Sequence, residues 1–502
     1  MSAAAKDVVV VGAGVAGLAA AVALAGDGAR VTLLERRGFV GGRAYSYPHP
    51  ALGETIDSQH VVLGCCTNIV ELMEQAGAAG SIRWYDELCF LEPRTSGNAR
   101  RSWTRSGRLP APLHQAVSFL RAPMLGLRDK AGIAAGLMRF LRGGPGHDAE
   151  SFASWLRRTG QTERAVRHFW EPVVAGALND GFERCSVKYA GKVFYESFLR
   201  SAAGGRLGIP ALPLSDFFAP VVELARGLGV EVRLNAAVDR IVGRADGRWR
   251  VRVGDREIEA GAVVLATDWR GTQRLLEGLA GVLHPTHRDG AAMDGAPERS
   301  RIAETHVSEA RRGAPGLGAS SEFGFERFVA APITTVHLWY EREVVDVDHA
   351  VLLDARIQWM FCKSRIRGWE AGRGSYLELV ISASWAEIGM GREEILAAAL
   401  GELEMFFPAV REAQLVKSAV LKEARATFSV APGLDAYRPA QRTVWPGLFV
   451  AGDWTATDWP STMEGAVRSG RLAAGEVVGE RRRFIARELE AEGLMRWLGA
   501  GR

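Results

Sequence analysis

Val8-Val9-Val10-Val11-Gly12-Ala13-Gly14-Val15-Ala16-Gly17 stands almost at the start of the chain, and the next apolar run, Arg30-Val31-Thr32-Leu33-Leu34, ends on a single acid, Glu35. The valine run reads as a buried strand, and the glycines that follow open an apolar helix. Gly12 gives the tight strand-to-helix turn, Gly14 lets backbone approach a pyrophosphate at the positive helix end, and Gly17 lets the helix lie close on the sheet. Glu35, at about the expected 20-residue spacing, can accept hydrogen bonds from a ribose diol. Glycines also mark ordinary turns. Here strand, helix and acid stand in register, and the reading is dinucleotide binding.

Arg36-Arg37-Gly38-Phe39-Val40-Gly41-Gly42-Arg43 follows directly and resembles the E-x(6)-GGR segment of flavoproteins in the amine oxidase and phytoene desaturase superfamily. The resemblance implies tightly held FAD rather than NAD, with Arg36 and Gly42 beside it and Arg43 as a charged fork on phosphate. A second signal lies near the C-terminus. Gly447-Leu448-Phe449-Val450-Ala451-Gly452-Asp453 reads as a strand entering a turn, and Pro460-Ser461-Thr462-Met463-Glu464-Gly465 as a helix start. Gly452 would admit the cofactor closely, Asp453 would hydrogen-bond its ribityl or phosphate region, and the helix beginning near Met463 would stabilise electron density on the flavin ring.

A chain of 502 residues exceeds one hydrophobic core, so two domains are expected. Net charge is only +4 and no nucleic-acid-binding signature is present, so nucleic acid is not an expected partner. No run of about 18 apolar residues suggests a membrane span, and the first strand begins too early to leave room for a signal peptide. Five scattered cysteines, Cys65, Cys66, Cys89, Cys185 and Cys362, suggest a reducing cytoplasm without a disulfide framework. Cys65-Cys66 lacks the spacing of a redox pair and reads as two small buried hydrophobes. No histidine or cysteine cluster has metal-ligand spacing, so no metal is expected.

Nucleotide-domain signals recur in three places, which gives an interleaved α/β architecture. Residues 1–95, 210–284 and 425–480 form a Rossmann-like FAD-binding domain, 96–209 and 285–424 an α+β substrate domain, and 481–502 a charged surface helix. Residues 285–321, weak in periodicity, read as a long surface insertion.

Further segments narrow the resemblance: Ile56-Asp57-Ser58-Gln59-His60-Val61-Val62-Leu63-Gly64; Val336-His337-Leu338-Trp339; Ile357-Gln358-Trp359-Met360-Phe361; and Gly452-Asp453-Trp454-Thr455 through Trp459-Pro460 to Gly465. Over nearly its whole length the chain resembles the hydroxysqualene dehydroxylases, the squalene-associated FAD enzymes of bacterial hopanoid synthesis. In that family Asp57 and Gln59 usually have one more residue between them, which leaves the place of His60 in this loop open. The resemblance implies reduction of an allylic alcohol on a hydrophobic C30 isoprenoid, by hydride transfer from reduced flavin to an allylic cation. Hydroxide leaves poorly, so a general acid must protonate it, and water must be kept from the cation. His60 is the first choice for the proton donor and Asp57 for its orienting partner; a backbone-bonded histidine and a turn cap are the plain alternatives. His337 and Trp339 are placed at the substrate, although His337 on an apolar strand also reads as a satisfied sheet histidine. Trp454 and Trp459 are read as cavity walls whose faces suit a cation.

Residues 113–141 alternate apolar and basic side chains, which fits either ordinary core helices or a surface resting in the membrane interface on the inner face of the cell membrane. Three other functions share these motifs: a carotenoid or phytoene desaturase running the flavin oxidatively, an amine oxidase, and a non-enzymatic flavin-binding assembly protein. The electron donor is open, because no second dinucleotide motif is evident.

Overall fold

The computed structural model describes residues 6–94, 99–280, 323–370 and 372–497. The 285–321 insertion therefore lies outside the described residues. β1 (Asp7–Val11) buries Val8 to Val11, so both faces of the strand need cover, as in a parallel sheet layered between helices. It sits at the centre of a five-stranded parallel sheet. β2 (Arg30–Leu34) lies on one side with Val8 opposite Val31, and β3 (Glu231–Arg233) beyond it. On the other side come β4 (Ala262–Leu265) and β5 (Leu448–Val450).

Between β1 and β2 runs α1 (Val15–Gly26), whose sequence carries no charge and buries ten of its twelve residues. Such a helix is covered on nearly every side. One cover is α5 (Met463–Val478), which approaches so closely that a Cβ on Gly470 would stand 2.1 Å from the carbonyl oxygen of Ala16. The start of α1 is thereby held against the middle of α5.

The second sheet has seven strands, in the order Leu415–Phe428, Ala330–Tyr340, Ser375–Ser382, Trp359–Cys362, His349–Leu352, Glu87–Glu92 and Arg100–Arg105. It is antiparallel except where His349–Leu352 meets Glu87–Glu92. Ser375–Ser382 is buried at every position and forms its interior. Glu87–Glu92 falls before residue 95, where the sequence reading ended the first nucleotide unit. It pairs instead into this second sheet, because Cys89 and Leu91 join its apolar core rather than the core around β1.

α2 (Thr67–Gln75) packs beside α5, while α3 (Ala116–Arg121) and α4 (Leu127–Gly143) lie in the stretch read as amphipathic. α4 buries Asp129, Ile133, Gly136 and Phe140, spaced four, three and four apart, which is one face of a helix. The expected C-terminal surface helix is not formed: residues 481–493 carry no helix, and only Leu494–Trp497 makes a short turn of one. The segment is held by its acids instead. Glu492 accepts from Ser201 Oγ at 2.8 Å and the Ala202 amide at 3.0 Å, and Glu488 pairs with Arg200 and Arg468. Among the described residues no helix is long and apolar enough to cross a membrane.

Candidate functional site

Four strands of the parallel sheet end at one edge, three of them on residues that the sequence singled out. β1 runs into Gly12 to Gly14, β2 into Glu35, β4 into Ala266 and Thr267, and β5 into Gly452 and Asp453. The carboxyl edge of an open α/β sheet is where such folds bind ligands. A cavity of about 1900 Å³ opens there, and all of these residues line it except Ala13. It exceeds the roughly 300–1,000 Å³ of a pocket for one small ligand, so a dinucleotide and a second large molecule fit together.

The cradle suits a pyrophosphate. Gly12 has φ +103°, which only glycine adopts without strain, and a Cβ there would stand 2.7 Å from the Ala266 carbonyl oxygen. Gly17 does not line the cavity; its absent side chain lets α1 pass the turn, since a Cβ would sit 1.9 Å from the Gly12 carbonyl oxygen. Gly14 is the N-cap of α1 and no side chain caps that end, so the first-turn amides are left for a ligand. Opposite, Gly42 comes so near that a Cβ on it would lie 3.0 Å from Gly14 Cα. The carboxylate of Glu35 accepts the Ala13 amide at 2.8 Å and the Arg37 amide at 2.9 Å. Each oxygen keeps a second lone pair for a ribose hydroxyl.

Arg36, Arg43 and Met463 also line the cavity. Arg43 does not present a free fork for phosphate, however. Its guanidinium is 2.5 Å from Asp453 and 3.0 Å from the Ala426 carbonyl oxygen, and it clamps the N-terminal motif to the C-terminal one. Ser461 donates to the other Asp453 oxygen. The turn after β5 is also tied by Arg438, 5% exposed, which donates to the carbonyl oxygens of Asp453 at 2.8 Å and Thr455 at 2.6 Å. Sequence reasoning missed Arg438, which stands in a polar stretch without periodicity.

His60 lines the cavity, and its Nδ1 is 2.9 Å from the Ser58 carbonyl oxygen. A carbonyl only accepts, so Nδ1 carries the hydrogen and Nε2 of the neutral ring is the free acceptor. Burial pushes the imidazole below its usual value, and the Ser58 carbonyl offsets this only in part. His60 is therefore neutral at rest.

Asp57 does not orient His60, which corrects the sequence expectation. Its carboxylate accepts from Lys363 Nζ at 2.6 Å, from Arg367 at 3.0 Å and from the Leu214 amide at 2.9 Å. Burial alone would raise this carboxyl, but Lys363 and Arg367 hold it down to about 2. Lys363 also donates to Glu378 at 2.7 Å, and Glu378 accepts the Gln59 amide at 2.6 Å. The loop from Asp57 to His60 is thus fastened at Asp57 and Gln59 to a buried Lys363–Glu378 pair. Burial pushes Glu378 up, and Lys363 offsets only part of that. One signal could have found this pair: Glu378 is the lone acid in the apolar run Ser375–Ser382.

His337, Trp339 and Trp454 do not form cavity walls, contrary to the substrate role expected for them. His337 is fully buried between the Tyr376 hydroxyl at 2.9 Å and the Thr335 hydroxyl at 3.0 Å, and burial pushes it down to about 3. Trp339 stacks on Tyr376 with centroids 4.4 Å apart, and Trp454 donates to the Thr267 carbonyl oxygen at 3.0 Å from within the core. Trp459 does line the cavity. Lys192 stands 5.3 Å and Arg468 5.5 Å from its ring centroid, so its quadrupole already faces two protein cations. All five cysteines are buried and unpaired.

The description "flavin containing amine oxidoreductase" matches residues 15–282 and 321–478, well over half of the chain. The 15-cis-phytoene desaturase of Solanum lycopersicum is 25% identical, over 96% of this chain and 79% of its own. That of Synechococcus elongatus is also 25% identical, over 96% and 99%. The zeta-carotene desaturase of Solanum lycopersicum is 26% identical, over 96% and 83%. Among solved structures, an oxidoreductase from Methanosarcina mazei superposes with a TM-score of 0.67 at 15% identity, over 94% of this chain and 100% of that one. Cyclohexylamine oxidase from Brevibacterium oxydans gives 0.62 at 18%, over 94% and 98%. With its cradle, its clamp between two glycine motifs and this match, the chain belongs to the flavin-containing amine oxidoreductase family, and its cofactor is FAD.

Proposed function

We propose that the protein reduces hydroxysqualene to squalene. The observation that carries this reading is the size of the cavity, whose lining holds, besides the nucleotide cradle, the apolar side chains of Val61, Ile69, Ala177, Val193, Ile333 and Val380, together with His60. A long hydrocarbon fits that lining, and the size of the cavity allows it beside a dinucleotide. FAD supplies the hydride when reduced and bound. The protein binds the chain, keeps water from the reacting carbon, and, once the His60 ring takes up a proton, presents it at Nε2 while Nδ1–H stays fixed on the Ser58 carbonyl. The alcohol takes up that proton and a hydride, and leaves as hydrocarbon and water. The allylic-alcohol substrate itself rests on the QH, HLW, QWMF and GDWT segments rather than on cavity shape.

Desaturation of a carotenoid precursor is the second reading. It is favoured by the phytoene desaturase relatives and by the resting state of His60, whose free Nε2 accepts rather than donates. The two readings give opposite pH slopes. If His60 is the acid, the single-turnover rate with hydroxysqualene rises as pH falls below 6.5, because its protonated form exists only below its lowered value. His60→Ala then abolishes the slope and slows the step about 100-fold or more with FAD retained. A rate that instead rises with pH, or a variant as fast as the parent protein, removes His60 from that role.

A further inference from the structure

The stretch from residue 106 to 143 does not bury all its apolar side chains. Leu113 (46% exposed), Val117 (47%) and Leu120 (64%) are spaced four and three apart, so they share one face of the turn leading into and along α3. Leu109 is exposed just before them, and Leu127, at the start of α4, is 84% exposed. Lys130 Nζ donates to the Leu120 carbonyl oxygen at 2.7 Å, which joins the first turn of α4 to the end of α3. The Leu494 amide donates to the Ala111 carbonyl oxygen at 3.2 Å, which brings the exposed Leu494 and Trp497 to the same edge. Three separate pieces of chain thus build one apolar surface.

Along residues 106–143 its charge has one sign, and the exposed Glu490, four residues before Leu494, stands on the C-terminal piece. Arg108, Arg121 and Arg128 are exposed within it, and Arg139 and Arg142 are exposed farther along α4. The sole acid between residues 106 and 143 is Asp129, which is buried and spent on the Gly126 amide and the Thr162 hydroxyl. Arg139 donates to the carbonyl oxygen of Ala135, and among the described residues none of these arginines has a carboxylate within ion-pair distance. A symmetric dimer across the face would set arginine against arginine, which opposes pairing with a second copy. Exposed leucines ringed by unpaired arginines suit an anionic lipid surface, where apolar side chains enter the acyl boundary and cations meet phosphate headgroups.

We propose that this face, formed by residues 108–128 with Leu494 and Trp497, rests on the surface of an anionic bilayer. It lies on the surface and does not cross. The proposal stands on the patch alone and is independent of the substrate reading. FAD-loaded full-length protein is floated with vesicles of phosphatidylglycerol and phosphatidylcholine, and with pure phosphatidylcholine, at low and high salt. Binding is expected to the mixed vesicles, at least tenfold weaker to pure phosphatidylcholine, and weaker at high salt. The exposed double variant Leu120→Ser/Leu127→Ser is expected to lose at least tenfold in binding while keeping flavin content and Tm. Absence of binding by the parent protein, or equal binding by the variant, overturns the proposal. So does a dimer, seen by light scattering, that persists with vesicles and is lost in the variant, since it assigns the face to a second copy.

Discussion

Replacing Lys363 by Met tests the buried pair under the His60 loop. Lys363 is 2% exposed, and its ammonium stands 2.6 Å from Asp57 and 2.7 Å from Glu378, themselves 2% and 0% exposed. Methionine has a similar stem, so little volume is lost and the change is mainly the lost charge. Deleting one partner of a buried ion pair costs roughly 3–5 kcal/mol. Arg367 at 3.0 Å still neutralises Asp57, and the Gln59 amide still serves Glu378, which places the cost at the lower end, about 3 kcal/mol. Without Lys363 only the Gln59 amide opposes burial at Glu378, and that carboxyl rises further above its usual 4.5. The folded variant then holds a proton that the unfolded chain releases, so its stability falls as pH rises, by up to about 1.4 kcal/mol per unit. Urea unfolding of the FAD-loaded proteins, followed by circular dichroism, is run at pH 6 and pH 8. A deficit of about 3 kcal/mol at pH 8 that narrows at pH 6 is expected. A deficit below about 1 kcal/mol at both values, or one that widens on acidification, refutes the reasoning.

Purified protein is expected to be yellow with non-covalent FAD, and Gly14→Leu, which puts a side chain between α1 and Gly42, should lose the flavin; full occupancy in that variant would show that the cradle lies elsewhere. Arg438→Gln should weaken FAD retention and cost about 2 kcal/mol, the scale for charged hydrogen bonds to carbonyls, checked by flavin release on heating. His337 and His349, pushed by burial to about 3 and about 4, are neutral in the fold and protonate only in the unfolded chain below pH 6.5. Each should therefore remove about 2 kcal/mol of stability between pH 7.5 and pH 5, and His349→Phe should flatten part of that loss in urea midpoints; an unchanged slope would contradict the burial argument.

The nucleotide half of the fold was legible because its signals are local. A valine strand, a turn glycine and a close-packing glycine each have one physical use at one spacing, and the fold uses them in that way. What was not legible depends on contacts far apart in sequence. Arg43 looks like a phosphate ligand until Asp453, 410 positions away, is seen to occupy it. Asp57 and His60 are neighbours in the chain, yet Asp57 turns to Lys363, 306 residues on. Aromatics misled for a related reason: Trp339 and Trp454 sit beside diagnostic motifs, but a large apolar side chain is as well used in the core, and that is where both are. The tail reads as helical by composition, and tertiary anchoring of Glu488 and Glu492 overrides that tendency.

The most direct measurement is an anaerobic single turnover. Protein carrying chemically reduced FAD, with deuterium at the transferable position, is mixed with hydroxysqualene, and with phytoene in a parallel run. The account predicts squalene in an amount equal to the flavin reoxidised, with the label at the former carbinol carbon. Flavin that stays reduced with hydroxysqualene, while the oxidised protein introduces double bonds into phytoene, would contradict it.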